Sequence, residues 1–181
     1  MKRNGVVGLL LLVVVVGALL AGCGGGETAW TEFKSEEGGF SILVPSTPTE
    51  ETQTQETELG NIDVHMFTSE REGVAYMVGY NLLPAAILEV SSPEPMLDGA
   101  CNGQVSSTGG TEVSRKEITL GTYPGRELEI RVEDTSGIKT LHTYIYLVED
   151  KLYQILVVGG KDQSTAPDTI KFLDSFKLLS E

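Results

Sequence analysis

The sequence predicts one α+β domain built on a central antiparallel sheet with both faces covered. Three observations carry this. Residues Leu141–Val148 and Leu152–Gly159 are rich in β-branched and aromatic side chains and are separated by Glu149-Asp150-Lys151, the signature of a β-hairpin. Neither face of its first strand is polar: Leu141, Thr143, Ile145 and Leu147 lie on one, His142, Tyr144, Tyr146 and Val148 on the other. An antiparallel strand covered on one side alternates apolar with polar, so this hairpin belongs mid-sheet with something packed on each face. Two helix-like segments, after Ser92-Pro93 and Thr165-Ala166-Pro167, supply helical content between and after the strands.

The first 22 of 181 residues stand apart. Lys2-Arg3 form a positive start, and Val6–Ala21 is a continuous run of apolar and small residues. A spanning helix needs about 20 apolar residues, so this run fits the apolar stretch of a signal segment better than a permanent span. Leu20-Ala21-Gly22-Cys23 follows directly and resembles a bacterial lipobox. That resemblance implies a diacylglyceryl group on the Cys23 thiol and cleavage between Gly22 and Cys23. The expected organisation is a lipoprotein signal peptide over 1–22, a lipidated cysteine and Gly-rich tether over 23–29, and a folded domain over 30–181. Gly24-Gly25-Gly26 is flexible but short, which keeps the domain near the membrane.

Losing Lys2 and Arg3 with the leader takes the formal charge from −13 to −15. This balance argues against nucleic acid, whose phosphates need clustered Lys and Arg, and against electrostatic adhesion to anionic lipid. Attachment then rests on acyl chains, of which two or more anchor stably. With Cys23 lipidated, Cys101 has no partner in the chain and is read as a buried small hydrophobe.

Along the mature chain, Ala29–Phe33 and Phe40–Val44 read as strands around the turn Ser35-Glu36-Glu37-Gly38-Gly39, with Pro45 and Pro48 ending the second. Thr47–Glu58 has no apolar residue after Pro48. It reads as a solvated edge strand or loop, since charge protects a sheet edge and no EF-hand spacing is present. Ile62, Val64, Met66 and Thr68 alternate with Asn61, Asp63, His65 and Phe67, and Val74–Leu82 follows as the next strand. Asp63 and His65 share a strand face, but two ligands do not make a zinc site; they read as a solvent-facing pair.

Ser92 is placed as the N-cap of a helix with Pro93 at its first position. Leu97, Ala100, Cys101, Gln104 and Val105 fall on one side, and Gly109-Gly110 ends it. Glu112–Leu120 and Arg126–Glu133 are strands, the second half-exposed and nearer the edge than the hairpin. Thr165 with Asp168 has capping-box spacing for a last helix whose apolar side is Ile170, Leu173 and Phe176.

In order, Phe33-Lys34-Ser35, Gly38-Gly39-Phe40-Ser41-Ile42, Pro45 and Pro48, Tyr123-Pro124-Gly125-Arg126-Glu127, Leu152-Tyr153, Val157-Val158-Gly159 and Phe172-Leu173-Asp174-Ser175-Phe176 resemble the bacterial PsbP-like lipoproteins. The resemblance spans residues 30–179. It implies the Mog/PsbP-like α-β-α sandwich, a central antiparallel sheet with helices on both faces, and a non-catalytic accessory or binding role.

The functional expectation is therefore a membrane-anchored lipoprotein on the extracytoplasmic side of a bacterial membrane. It meets lipid through acylated Cys23, engages a protein partner through its folded domain, and needs no cofactor or metal. A cysteine-dependent hydrolase would pair Cys101 with His142, but no Gly-x-Ser-x-Gly elbow, His-Glu-x-x-His helix or P-loop accompanies them. A small-ligand carrier would use an aromatic pocket lined by Tyr76, Tyr80, Tyr144 and Tyr146.

Overall fold

The computed structural model describes residues 29–57, 60–135 and 137–179. The leader, the lipobox with Cys23 and the glycine tether to residue 28 lie outside the described residues.

Among the described residues ten strands and three α-helices follow in order: β1 (Thr31–Ser35), β2 (Phe40–Val44), β3 (Thr49–Thr57), β4 (Gly60–Arg71), β5 (Val74–Leu82), α1 (Ala85–Val90), α2 (Pro93–Thr108), β6 (Thr111–Leu120), β7 (Tyr123–Asp134), β8 (Gly137–Val148), β9 (Lys151–Gly160), α3 (Pro167–Asp174) and β10 (Lys177–Leu178). A 3-10 turn, Gln163–Thr165, precedes α3. Seven strands form an antiparallel sheet in the order β3-β4-β5-β9-β8-β7-β6, and three form a second sheet, β1-β2-β10.

β9 is the middle strand of seven and β8 lies beside it, as two apolar faces require. Leu141, Ile145 and Leu147 join the core beneath α2, with Leu97, Ala100, Cys101, Leu128, Ile130 and Leu156. Tyr146, Tyr153, Ile155 and Val157 join the opposite core, with Phe40, Ile42, Val44, Phe172, Leu173 and Phe176. Ile145 and Ile155 are both fully buried, one on each side.

The expected helical layer on both faces is not what forms. α2 covers one face. The other is covered by the three-stranded sheet, with the eight-residue α3 beside it. The molecule is mostly β, two antiparallel sheets and three α-helices, rather than one sheet between helical layers. The physical reason is the pattern of β2. Phe40, Ile42 and Val44 alternate toward the large sheet, while Ser41 and Leu43 face away, so this strand supplies a covering layer of its own.

α1 has no buried residue, and the strand-and-helix pattern did not anticipate it. α2 begins after Ser92 as expected, although the Ser92 hydroxyl makes no capping bond, and ends at Gly109, whose φ of 62° suits glycine. α3 starts one residue later than its capping-box spacing suggested, with Ala166 as N-cap. It buries Thr169, Phe172 and Leu173, leaving Ile170 37% exposed. β3 is an edge strand along the polar run, as its charge suggested.

Candidate functional site

The two residues that would make a thiol–imidazole pair stand on opposite faces of the large sheet. Cys101 is fully buried under α2, and desolvation by that burial pushes its thiol up to about 11. His142 has the strand parity of Tyr144 and Tyr146 and points to the other side. Its Nδ1 lies 2.7 Å from the Ser164 carbonyl oxygen, which can only accept, so this nitrogen donates. Its Nε2 lies 3.0 Å from Glu127 Oε1, and the same carboxylate receives Lys116 Nζ at 3.3 Å. The sheet separates the candidate nucleophile from the candidate base, so they cannot act on one bond.

Asp63 and His65 sit on β4 opposite Thr54 and Thr52 of β3. Thr54 Oγ1 donates to Asp63 Oδ1 at 2.6 Å, and the Thr52 hydroxyl lies 3.1 Å from His65 Nδ1. The His65 ring stacks on Tyr80 at 4.6 Å between centroids. Among the described residues no group of three potential ligands could hold a metal ion.

The four tyrosines share one face, as their alternation required, but they fill space instead of lining a pocket. Tyr76, Tyr80 and Tyr146 are buried against Phe40, Phe67, Phe172 and Phe176. Tyr144 lies at the rim and donates to Asp174 Oδ1 at 3.3 Å. Tyr153 joins them and donates to the Gly38 carbonyl at 2.7 Å. Burial pushes the hydroxyls of Tyr76, Tyr80, Tyr146 and Tyr153 up to about 12.

One surface cleft, of about 320 Å³, lies where the small sheet meets α3. Glu32 of β1, Ile42 and Leu43 of β2, Lys171 and Asp174 of α3, Ser175 and Lys177 of β10 line it. Ser175 Oγ ties the parts together: it accepts from the Leu43 amide at 2.9 Å and donates to the Phe172 carbonyl at 2.7 Å. Lys171 Nζ stands 4.8 Å over the Trp30 ring, and Trp30 packs edge-on against Tyr76. The cleft brings two ammonium groups, Lys171 and Lys177, beside two carboxylates, Glu32 and Asp174, with Ile42 and Leu43 as its apolar part. Sequence reasoning missed it because its residues come from β1, β2, α3, β10 and the link before β10, far apart in the chain.

A second polar cluster holds α2 to the sheet. Arg126 of β7, 5% exposed, donates from Nε to Asp98 Oδ1 at 3.0 Å and from Nη2 to Glu94. Arg115 reaches Asn102 at 2.8 Å and Glu112 at 2.6 Å. Opposite charges are matched within it, so it reads as the fastening of the helix.

No protein-family model matches the chain, and no curated protein matches it. Among solved structures the chain is similar to the cyanobacterial PsbP (CyanoP) of Synechocystis sp. PCC 6803. That likeness has 14% identity over 88% of this chain and 98% of the other, with a TM-score of 0.58. A protein of Bacteroides thetaiotaomicron VPI-5482 aligns over 83% of this chain and 48% of its own, at 12% identity and a TM-score of 0.46. The fold is therefore PsbP-like, in agreement with the resemblance of the sequence. At this identity the likeness concerns the fold alone.

Proposed function

We propose that this chain is a membrane-anchored extracytoplasmic lipoprotein whose folded part is a non-catalytic accessory or binding domain. The observation that carries this reading is Leu20-Ala21-Gly22-Cys23, placed directly behind an apolar run with a basic start. The acyl group on Cys23 would be the anchor; among the described residues no helix is long and apolar enough to cross a membrane. The opposed placement of Cys101 and His142 supports a non-catalytic domain, and the acidic balance disfavours nucleic acid. A protein partner is the remaining occupant for its surface.

Membrane fractionation of Cys23→Ser beside the wild type, with the mass of the mature N-terminus, tests the anchor. The wild type should float with membranes and carry lipid on Cys23, and the variant should be released. Equal membrane retention of mature-sized protein in both would refute acylation as the anchor. A crosslinking pull-down from intact membranes would then identify the partner.

A further inference from the structure

We propose that the outer face of the β1-β2-β10 sheet lies against anionic phospholipid headgroups, which orients the domain on the membrane; this rests on the lipoprotein reading above. Phe40, Ile42 and Val44 point into the core, so Ser41 and Leu43 lie on the opposite side with their cross-strand partners; Ser41 itself is only 5% exposed and Leu43 half-buried, so the exposed groups there are Lys34, Glu32 and Lys177. One rung of this outer face is Lys34, Ser41 and Lys177, since both lysines pair in register with Ser41. The adjacent rung is Glu32 and Leu43. Lys171 stands at the margin over Trp30, facing the same cleft as Lys177.

Three ammonium groups thus gather on one small face of a chain whose formal charge is −13. Two carboxylates share this region, Glu32 at 3.4 Å from Lys34 and Asp174, which accepts from the Tyr144 hydroxyl, so the three ammonium groups leave one net positive charge. Lys177 has no ion pair among the described residues. The overall acidic charge disfavours adhesion of the domain at large to an anionic bilayer, so a domain held there by its chain would turn this lysine-bearing face toward it. The chain path agrees. Trp30 immediately precedes β1, the edge strand of this sheet, and Cys23 lies seven residues before it. Fully extended, those residues reach at most about 25 Å. The face next to the point of chain entry is the one held nearest the lipid. Trp30, an amphipathic ring beside a lysine, suits an interfacial position.

The test uses the full acylated protein in vesicles of phosphatidylcholine with or without phosphatidylglycerol. Lysines are modified with a water-soluble amine reagent and located by mass spectrometry. Lys34, Lys171 and Lys177 should react several-fold more slowly on vesicles containing phosphatidylglycerol, and the protection should shrink at high salt. Lys116, on the far edge strand of the large sheet with 62% of its side chain exposed, should react equally on both. Equal reactivity of all four lysines, protection of Lys116 alongside the others, or no difference between the two vesicles would overturn the proposal for a chain that floats and carries lipid. A chain that neither carries lipid nor floats would overturn the anchoring reading, and this orientation with it.

Discussion

Truncating one isoleucine on each side of the central hairpin measures whether the large sheet is buried on both faces. Ile145 and Ile155 are fully buried on adjacent central strands, yet they belong to different cores. Ile145 packs with Leu97, Cys101 and Leu128 beneath α2; Ile155 packs with Tyr76, Tyr153 and Phe176 beneath the small sheet. Each change to Ala removes three carbons. At about 0.8 kcal/mol per buried CH₂ the lost transfer energy is about 2.4 kcal/mol. The cavity adds more, because neighbours held by a sheet and a fastened helix relax only partly, and the total should fall in the range of about 2–5 kcal/mol. For a domain of this size that lowers Tm by about 2–4 °C per kcal/mol. The assay is urea and thermal unfolding of Ile145→Ala, Ile155→Ala and the exposed control Thr54→Ala, in a chain lacking the leader and Cys23. The control should stay within about 0.5 kcal/mol of the parent. If both isoleucine variants melt like the parent, the burial argument fails. If only Ile155→Ala is destabilised, the packing of α2 on the sheet is wrong.

Three further outcomes are expected. Native Cys101 should react with a thiol reagent far more slowly than the denatured chain, because burial holds its thiol up at about 11; equal rates would contradict its placement under α2. The buried tyrosines make the fold sensitive to alkali. Their folded values of about 12 exceed the ordinary value of 10.0, so the folded state holds more protons. The stability they contribute is fully present below about pH 10 and is lost as pH rises toward about 12. Phenolate absorbance should rise together with unfolding, and smooth ionisation near pH 10 in a folded chain would count against the aromatic core. Finally, Gln104 and Thr143 are buried between α2 and the sheet with side-chain polar atoms that lack partners. Gln104→Met and Thr143→Val keep the volume and remove the unpaired groups, so each should leave stability unchanged or raise it by up to about 1–3 kcal/mol. A loss above about 1 kcal/mol in denaturant melts would mean that those atoms are bonded in solution.

The sequence by itself determined the strand parities and the central place of the hairpin. These are local quantities. Side chains alternate along a strand with period two, so His142 and Leu141 must face opposite ways whatever surrounds them. The same parity grouped Tyr76 with Tyr80 and Tyr144 with Tyr146, while only the register of β5 and β8 on β9 brought the two pairs to one face. Tertiary structure alone decided what lies on each face. An apolar face records that something covers it, and the transfer energy of Phe40 or Ile155 is the same beneath a helix or beneath a strand. The pattern of β2 therefore fitted a strand within the large sheet as well as one laid across it. α1 escaped notice because it is only six residues long and fully buries none of them, with Leu88 alone half-buried against the core beneath α2, which leaves too short a face for periodicity to reveal. The cleft between the small sheet and α3 was illegible for a related reason. Lys34 and Lys177 are separated by most of the chain and become neighbours only because β1 and β10 pair with the same strand. Whether Cys101 could meet His142 also depended on which face α2 took, and that choice was made by the docking of Arg126 on Glu94 and Asp98 and by the cores on either side.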